Sequence, residues 1–252
     1  MTARILFYDI ECKPLTVHTW GLRDQFIAIN QIKEDPAVIG VGAMWLGDKR
    51  AKFYGLDTLS REEMLTRAHE LLGQADLAIG YNSQGFDAPW LHAEFAKEGM
   101  APPSPFKHVD LFKAARKAFR LPSYKLQYVS GWLGVGSKIE TGGFGLWERC
   151  MAGDEKAWRL MNRYCRQDVE LLPALYHRLR PWISNHPNLA LYGEGSDRPS
   201  CERCGSQNLH ARGWAVTTTR RYQRYQCQAC GGWTRDNTAD ADVKALTTGV
   251  QR

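Results

Sequence analysis

Long hydrophobic runs are what this sequence most clearly lacks. No stretch of its 252 residues approaches the roughly 18–20 apolar residues of a bilayer-crossing helix, so no membrane partner is expected. The first residues hold one Arg and a short apolar run that stops at Asp9 and Glu11. That is the wrong pattern for a secretory leader, and the expected location is the cytoplasm. Cysteine is too sparse and too uneven for a disulfide framework. There are seven, an odd number: four form two CxxC pairs, and Cys12, Cys150 and Cys165 are scattered. No internal repeat is present. The Gly-rich "ETGGFG" at 140–145 lacks the strand-to-helix setting of a phosphate-binding loop and reads as a connection.

What is present is an ordinary globular composition, 44% hydrophobic and 24% charged, in a chain long enough for one medium domain plus a small one. The net charge of +6 mildly favours a polyanionic partner. Nine Trp residues provide packing or stacking surface without choosing between the two.

Residues 4–10, 37–46 and 51–55 read as strands, the last two joined by a "GDK" turn, and three neighbouring strands at the start of a chain suggest an antiparallel arrangement. Ser60 and Glu63 make a capping box for a helix whose apolar face is Met64, Leu65, Ala68, Leu71 and Leu72. A short strand, "DLAIGYN", leads to a helix closed by Gly99. "KHVDLFKAARKAF" is a strand end and a basic helix, 121–135 holds a short helix, and 153–183 holds one or two long helices with a bend expected at Pro173. The predicted fold is α/β, a mixed sheet flanked by helices. It occupies 1–190. A linker follows at 191–200, then a small β module at 201–235 and a polar, frayed tail at 236–252.

Within the first strand, Asp9 and Glu11 are two residues apart and share a face. Two adjacent carboxylates repel unless a cation lies between them, and a hard divalent cation is one answer; two solvated acids at a strand end are the other. Asp87, at the end of "GYNSQGFD", is a favoured helix N-cap, with Pro89 just inside the helix. It can also face a metal from there. Tyr164 and Asp168 are four apart on one helical face; pairing of Asp168 with Arg163 or Arg166 is the plainer alternative. Asp110 in "HVDLF" is either a supporting acid or a seat for the sheet.

Taken in order, Asp9-x-Glu11, Asn82-x-x-x-Phe86-Asp87 and Tyr164-x-x-x-Asp168 resemble the motifs of DEDDy 3′→5′ exonucleases, a branch of the RNase H-like superfamily that includes the proofreading domains of family B DNA polymerases. "DIECKPLTVHTW" and "SYKLQYVSGWLGVGSKIETGG" are similar to predicted stand-alone exonucleases of phages and bacteria. The resemblance covers about residues 3–185. It implies an RNase H-like fold and phosphodiester hydrolysis with two Mg²⁺ or Mn²⁺ ions about 4 Å apart. Asp9 would bridge them, Glu11 and Asp168 would complete one shell, and Asp87 would hold the second ion. Tyr164 would orient the attacking water, since a phenol with pKa near 10 is a poor base at neutral pH. Asn82 and Phe86 would line the substrate path. Nucleic acid, single-stranded DNA or a 3′ end, is the implied partner, with replication or repair proteins beside it. An accessory nucleic-acid-binding protein and an RNase H-like endonuclease are the alternatives.

The pairs Cys201/Cys204 and Cys227/Cys230 are separated by 22 residues, and each is followed by Gly. The spacing slightly exceeds the usual range of about 15–20 and resembles a zinc ribbon, with one structural Zn²⁺ and no open coordination position. Between the pairs, Arg220, Arg221, Tyr222, Arg224 and Tyr225 interleave cations with aromatics, and Trp214, Trp233 and Arg235 add to them. That mixture suits a single-strand-binding surface, or a hairpin edge whose aromatics cover the metal.

Overall fold

Alternation along the first strand organises one half of the molecule. β1 (Ile5–Lys13) sends Leu6, Tyr8 and Ile10 into one apolar cluster. By the two-residue period, Asp9 and Glu11 therefore share the other face with Ile5 and Phe7. β4 (Ala37–Trp45) pairs antiparallel with β1 and turns back into β5 (Lys52–Gly55), and β6 (Leu77–Gly80) and β7 (Lys107–Asp110) add in parallel. The resulting mixed sheet has the order β5-β4-β1-β6-β7. A small ribbon of β2 (Thr16–Val17) and β3 (Ile32–Glu34), not expected from the sequence, lies between the first two long strands in the chain.

This computed structural model describes residues 3–23, 26–136, 143–194 and 198–243. Glu140–Gly142 of the Gly-rich stretch, the middle of the 191–200 linker and the end of the tail lie outside the described residues. By contact density the chain forms two units, Arg4–Leu175 and a second containing Tyr176–Arg252. Among the described residues, no helix is long and apolar enough to cross a membrane.

The parallel strands are reached through helices, as parallel pairing requires. α1 (Arg61–Gly73) begins with the expected capping box: Glu63 N–H donates to Ser60 Oγ, and the Glu63 carboxylate accepts from Ser60 N–H. Met64, Leu65, Ala68 and Leu72 pack with Leu91 and Phe95 of α2 (Asp87–Lys97) on the Leu6/Tyr8/Ile10 side. Gly99 ends α2 in the left-handed conformation, φ 70°. α3 (Leu111–Ala118) and α4 (Leu126–Trp132) follow as read from sequence, and α5 (Gly145–Met151) occupies part of what was read as loop. α6 (Glu155–Leu179) runs continuously through Pro173. The opposite cluster joins Ile39 of β4 to Leu146, Cys150, Ala157, Trp158 and Met161.

Glu94 is a buried acid with a purely structural task. Its carboxylate accepts the Val38 N–H at 2.9 Å and pairs with Arg61, tying α1, α2 and the start of β4 together. Glu94→Ala leaves the Val38 N–H unsatisfied and is expected to cost about 1–3 kcal/mol, read as a lower midpoint in urea unfolding.

The second unit carries an antiparallel sheet in the order β10-β9-β8, formed by β8 (Leu209–Val216), β9 (Arg221–Cys227) and β10 (Trp233–Arg235). The tail does not fray at once: Asp236 N–H bonds to Gln223 O, and Asp240 N–H to Arg221 O, both at 2.9 Å.

Candidate active site and metal centres

Asp9 and Glu11 stand on the central strand, opposite Gly42 and Gly40 of β4 respectively. Those glycines are there for close approach. A Cβ at Gly42 would meet Cys165 Sγ at 2.7 Å and Val169 Cγ2 at 2.9 Å, and one at Gly40 would overlap the Phe53 ring. Gly42 thus lets α6 lie directly over the strand pair. The register breaks just after Glu11, where Cys12 pairs with Val38.

Asp87 enters from the end of the sheet. β1 pairs with β6 only from Ile5 to Phe7, so the Ile10 N–H lies past the end of that pairing. Asp87 Oδ1 accepts it at 3.0 Å. The sequence suggested an N-cap, but Phe86 holds that position and Asp87 is the first helical residue, 3% exposed. The β-strand donor shares its carboxylate with the first N–H of the helix, that of Asp87 itself. Burial pushes Asp87 up to about 7, against the N–H groups of Asp87 itself and Ile10, which favour the charged form.

α6 brings the last acid. Asp168 is 3% exposed. It lies one turn from Tyr164, which is half-buried and packs edge-on against Trp147 at 6.3 Å. Between them in sequence is Cys165, whose thiol lies within 4.8 Å of ligand atoms of both Asp9 and Glu11. Burial first, then the fields of Asp9, Glu11, Asp168 and Asp87, hold that thiol well above its ordinary range. Asp9 and Glu11 lie beside Cys165, Asp87 is held on the Ile10 N–H between them in sequence, and Cys165 and Val169, which flank Asp168 on α6, lie over Gly42 opposite Asp9. Reading the residues alone missed Cys165. Its signal was the helical spacing of three residues to Asp168.

The donor set fits hard divalent cations. Carboxylate oxygens are the preferred ligands of Mg²⁺ and Mn²⁺, and adjacent acids such as Asp9 and Glu11 call for positive charge between them. Asn82 and Phe86 lie in the turn and at the N-cap just before Asp87. Asn82 adopts φ 62°, its N–H donates to Asp110 Oδ1 at 3.0 Å, and the exposed Phe86 ring meets Trp90 edge-on. Asp110 is structural: it caps α3 through the Phe112 and Lys113 N–H groups and also holds the loop through Asn82 and Gln84.

The four cysteines of the second unit form a separate cluster, all sulfurs within 4.8 Å of one another. Two matching turns build it. Gly205 N–H bonds to Cys201 O and Gly231 N–H to Cys227 O, and both glycines have the positive φ (73° and 75°) that the turns require. Cys201 and Cys230 Sγ are 3.7 Å apart, Cys204 and Cys227 Sγ 3.6 Å. A tetrahedral ion with bonds of about 2.3 Å would place its sulfurs about 3.8 Å apart. The cluster is compatible with zinc. Backbone N–H groups of Arg203, Cys204, Ser206, Ala229 and Cys230 point at the sulfurs, as thiolates require.

The basic and aromatic residues between the cysteine pairs do not form one patch. Alternation on β9 puts Tyr222 and Arg224 on one face and Arg221 and Tyr225 on the other. Arg221 stacks on Trp214 at 4.2 Å and bonds to Asp240 at 2.6 Å; the Tyr225 hydroxyl meets Asp236. Arg220 is exposed in the turn before β9.

A sequence model of the RNase H superfamily matches residues 29–180. The structure is similar to the family B DNA polymerase from the hyperthermophilic archaeon Pyrobaculum calidifontis, with a TM-score of 0.54 and 17% identity, over 71% of this chain and 25% of that one. This chain therefore spans about a quarter of the polymerase's length, and at that identity the likeness concerns the fold. No curated protein matches the sequence.

Proposed function

The chain belongs to the RNase H superfamily, and from that premise we propose that it is a metal-dependent 3′→5′ exonuclease of the DEDDy type, with a C-terminal zinc ribbon that helps hold the substrate. A fold alone does not assign a function. The observation that carries the assignment is the pair Asp9 and Glu11 beside the buried Cys165 of α6, with Asp87 fixed on the intervening Ile10 N–H and Asp168 three residues beyond Cys165. Asp9, Glu11 and Asp168 would hold one Mg²⁺ or Mn²⁺, and Asp9 with Asp87 a second. Such a pair of ions supplies a hydroxide nucleophile and stabilises the leaving oxygen of a phosphodiester.

The chain's own groups do the rest. β1 keeps Asp9 and Glu11 on one face, and the Ile10 N–H fixes the Asp87 carboxylate. Gly42 admits α6 through Cys165 and Val169, and Asp168 between them would complete the acid set. Tyr164, braced by Trp147, positions the attacking water through its hydroxyl. Phe86 at the N-cap offers a face to the terminal base.

End-labelled single-stranded DNA, duplex DNA and RNA, each incubated with Mg²⁺, Mn²⁺ or EDTA, test the proposal. Stepwise shortening from the 3′ end with either metal and none in EDTA is expected. Tyr164→Phe should slow cleavage by roughly 10²-fold, the lower range for a positioned catalytic group. Cutting of closed circular DNA would point instead to an endonuclease, and no cleavage under any condition would sink the assignment.

A further inference from the structure

One face of the small sheet is built in a way that its own folding does not explain. Arg224 of β9 and Arg235 of β10 are directly paired across the strands. Like charges in that position destabilise a sheet. Neither forms an ion pair among the described residues, and both are exposed. Each guanidinium instead reaches diagonally to an aromatic ring on the other strand. Arg235 lies 3.8 Å over Tyr222, and Arg224 lies 4.8 Å over Trp233. Trp233 remains 42% exposed. The acids that follow the sheet go elsewhere: Asp240 meets Arg221 and Asp236 meets Tyr225, both on the opposite face. Among the described residues, these two cations therefore have no carboxylate partner: they donate to the backbone carbonyls of Arg212 and Asp236 and lie over the two rings.

We propose that this face, Tyr222–Arg224–Arg235–Trp233, is the seat of a single nucleic-acid strand, with backbone phosphate between the two guanidiniums and bases on the flanking rings. A phosphate relieves the Arg–Arg repulsion and draws the guanidiniums off the rings, whose faces then take bases in their place. From Tyr222 to the level of Trp233, opposite Gln226, β9 rises about 13 Å at about 3.3 Å per residue, room for a short extended strand but not for a duplex groove. The inference rests on the exonuclease proposal only in taking nucleic acid as the substrate class. It assigns the grip to one face and removes Arg221 and Tyr225 from it.

The test is binding of a fluorescent oligothymidylate to the full-length, zinc-loaded protein carrying Asp9→Ala to prevent cleavage, titrated at several salt concentrations. Arg224→Gln with Arg235→Gln should weaken binding tenfold or more and flatten the salt dependence by about 0.7 or more in slope, the value of one phosphate on a single strand. Tyr222→Leu with Trp233→Leu should weaken it about tenfold with the slope kept. Returning lysine at 224 and 235 should restore the slope. One bound zinc per chain in each variant shows that the module is folded. Unchanged affinity and slope in the folded arginine variant, or displacement of the oligonucleotide by polyglutamate as readily as by unlabelled strand, would overturn the inference. Hydrolysis of a saturating short oligonucleotide by the wild-type protein separates the two proposals. If cleavage is normal but the face variants bind normally, only the grip is wrong. If the face binds but nothing is cleaved, only the nuclease assignment is wrong.

Discussion

Asp9→Ala should reduce phosphodiester cleavage at least about a thousandfold, the upper range for deleting one member of a preorganised charge-stabilising set, while leaving the fold intact. Both halves follow from the same geometry. Asp9 lies on the central strand, with its ligand oxygen within 4.8 Å of those of Glu11 and of Cys165 Sγ. In the proposed mechanism it would be the ligand shared by two ions. Without metal, however, Asp9 is a negative charge beside Glu11. Removing it relieves repulsion, so the melting temperature in EDTA should hold or rise. Release of labelled nucleotide and scanning calorimetry read the two effects independently. Residual activity within tenfold of wild type would mean that the ions are held without Asp9. A fall in melting temperature in EDTA would mean that the acid cluster serves stability.

Stripping the cation from the four-cysteine cluster should unfold residues 201–235. Among the described residues from 201 onward, only Cys201, Arg203, Cys227 and Gly232 are buried, so two of the four clustered cysteines make up half of the buried residues. Arg203 adds hydrogen bonds to Ile183 O and Trp233 O but no apolar area. Structural zinc contributes roughly 10–16 kcal/mol in modules of this kind, far more than three short strands can supply by burial. Burial pushes Cys204 up to about 11, so metal must displace protons to bind. A mercurial thiol reagent should release one zinc per chain, and amide exchange in β8, β9 and β10 should become fast. Cys204→Ser should do the same without reagent. Retained exchange protection after complete zinc release would show that the sheet stands without its ion.

The strand and helix periods were legible because they are local. Asp9 and Glu11 share a face by a period of two, Tyr164 and Asp168 by a period near four, and the capping box at Ser60 is a contact over three residues. The CxxC-Gly turns are equally local, and both came out with the left-handed glycine their spacing demands. Asp87 was placed correctly at a helix start, but its distant partner was not. Capping preference describes the neighbouring backbone, whereas the donor it also serves is Ile10 N–H, 77 residues away, exposed to it because β1 outruns β6. Cys165 was an unassigned thiol until Gly42 on β4 let α6 descend onto the sheet.

In the second unit, the interleaved arginines and aromatics read as one patch because a linear sequence has no faces. Parity along β9 separates them, and only the pairing with β10 shows that Arg224 and Arg235 stand opposite one another. The contact between Arg221 and Asp240 spans 19 residues, beyond any local rule. By itself, then, the sequence determined which residue types could bind metal and the elements that carry them, since both depend on neighbours within a turn or a strand. The tertiary structure alone decided which of those groups meet, and which of the described cations lack a carboxylate partner, because charges and backbone donors act through space on whatever the fold brings within a few ångströms.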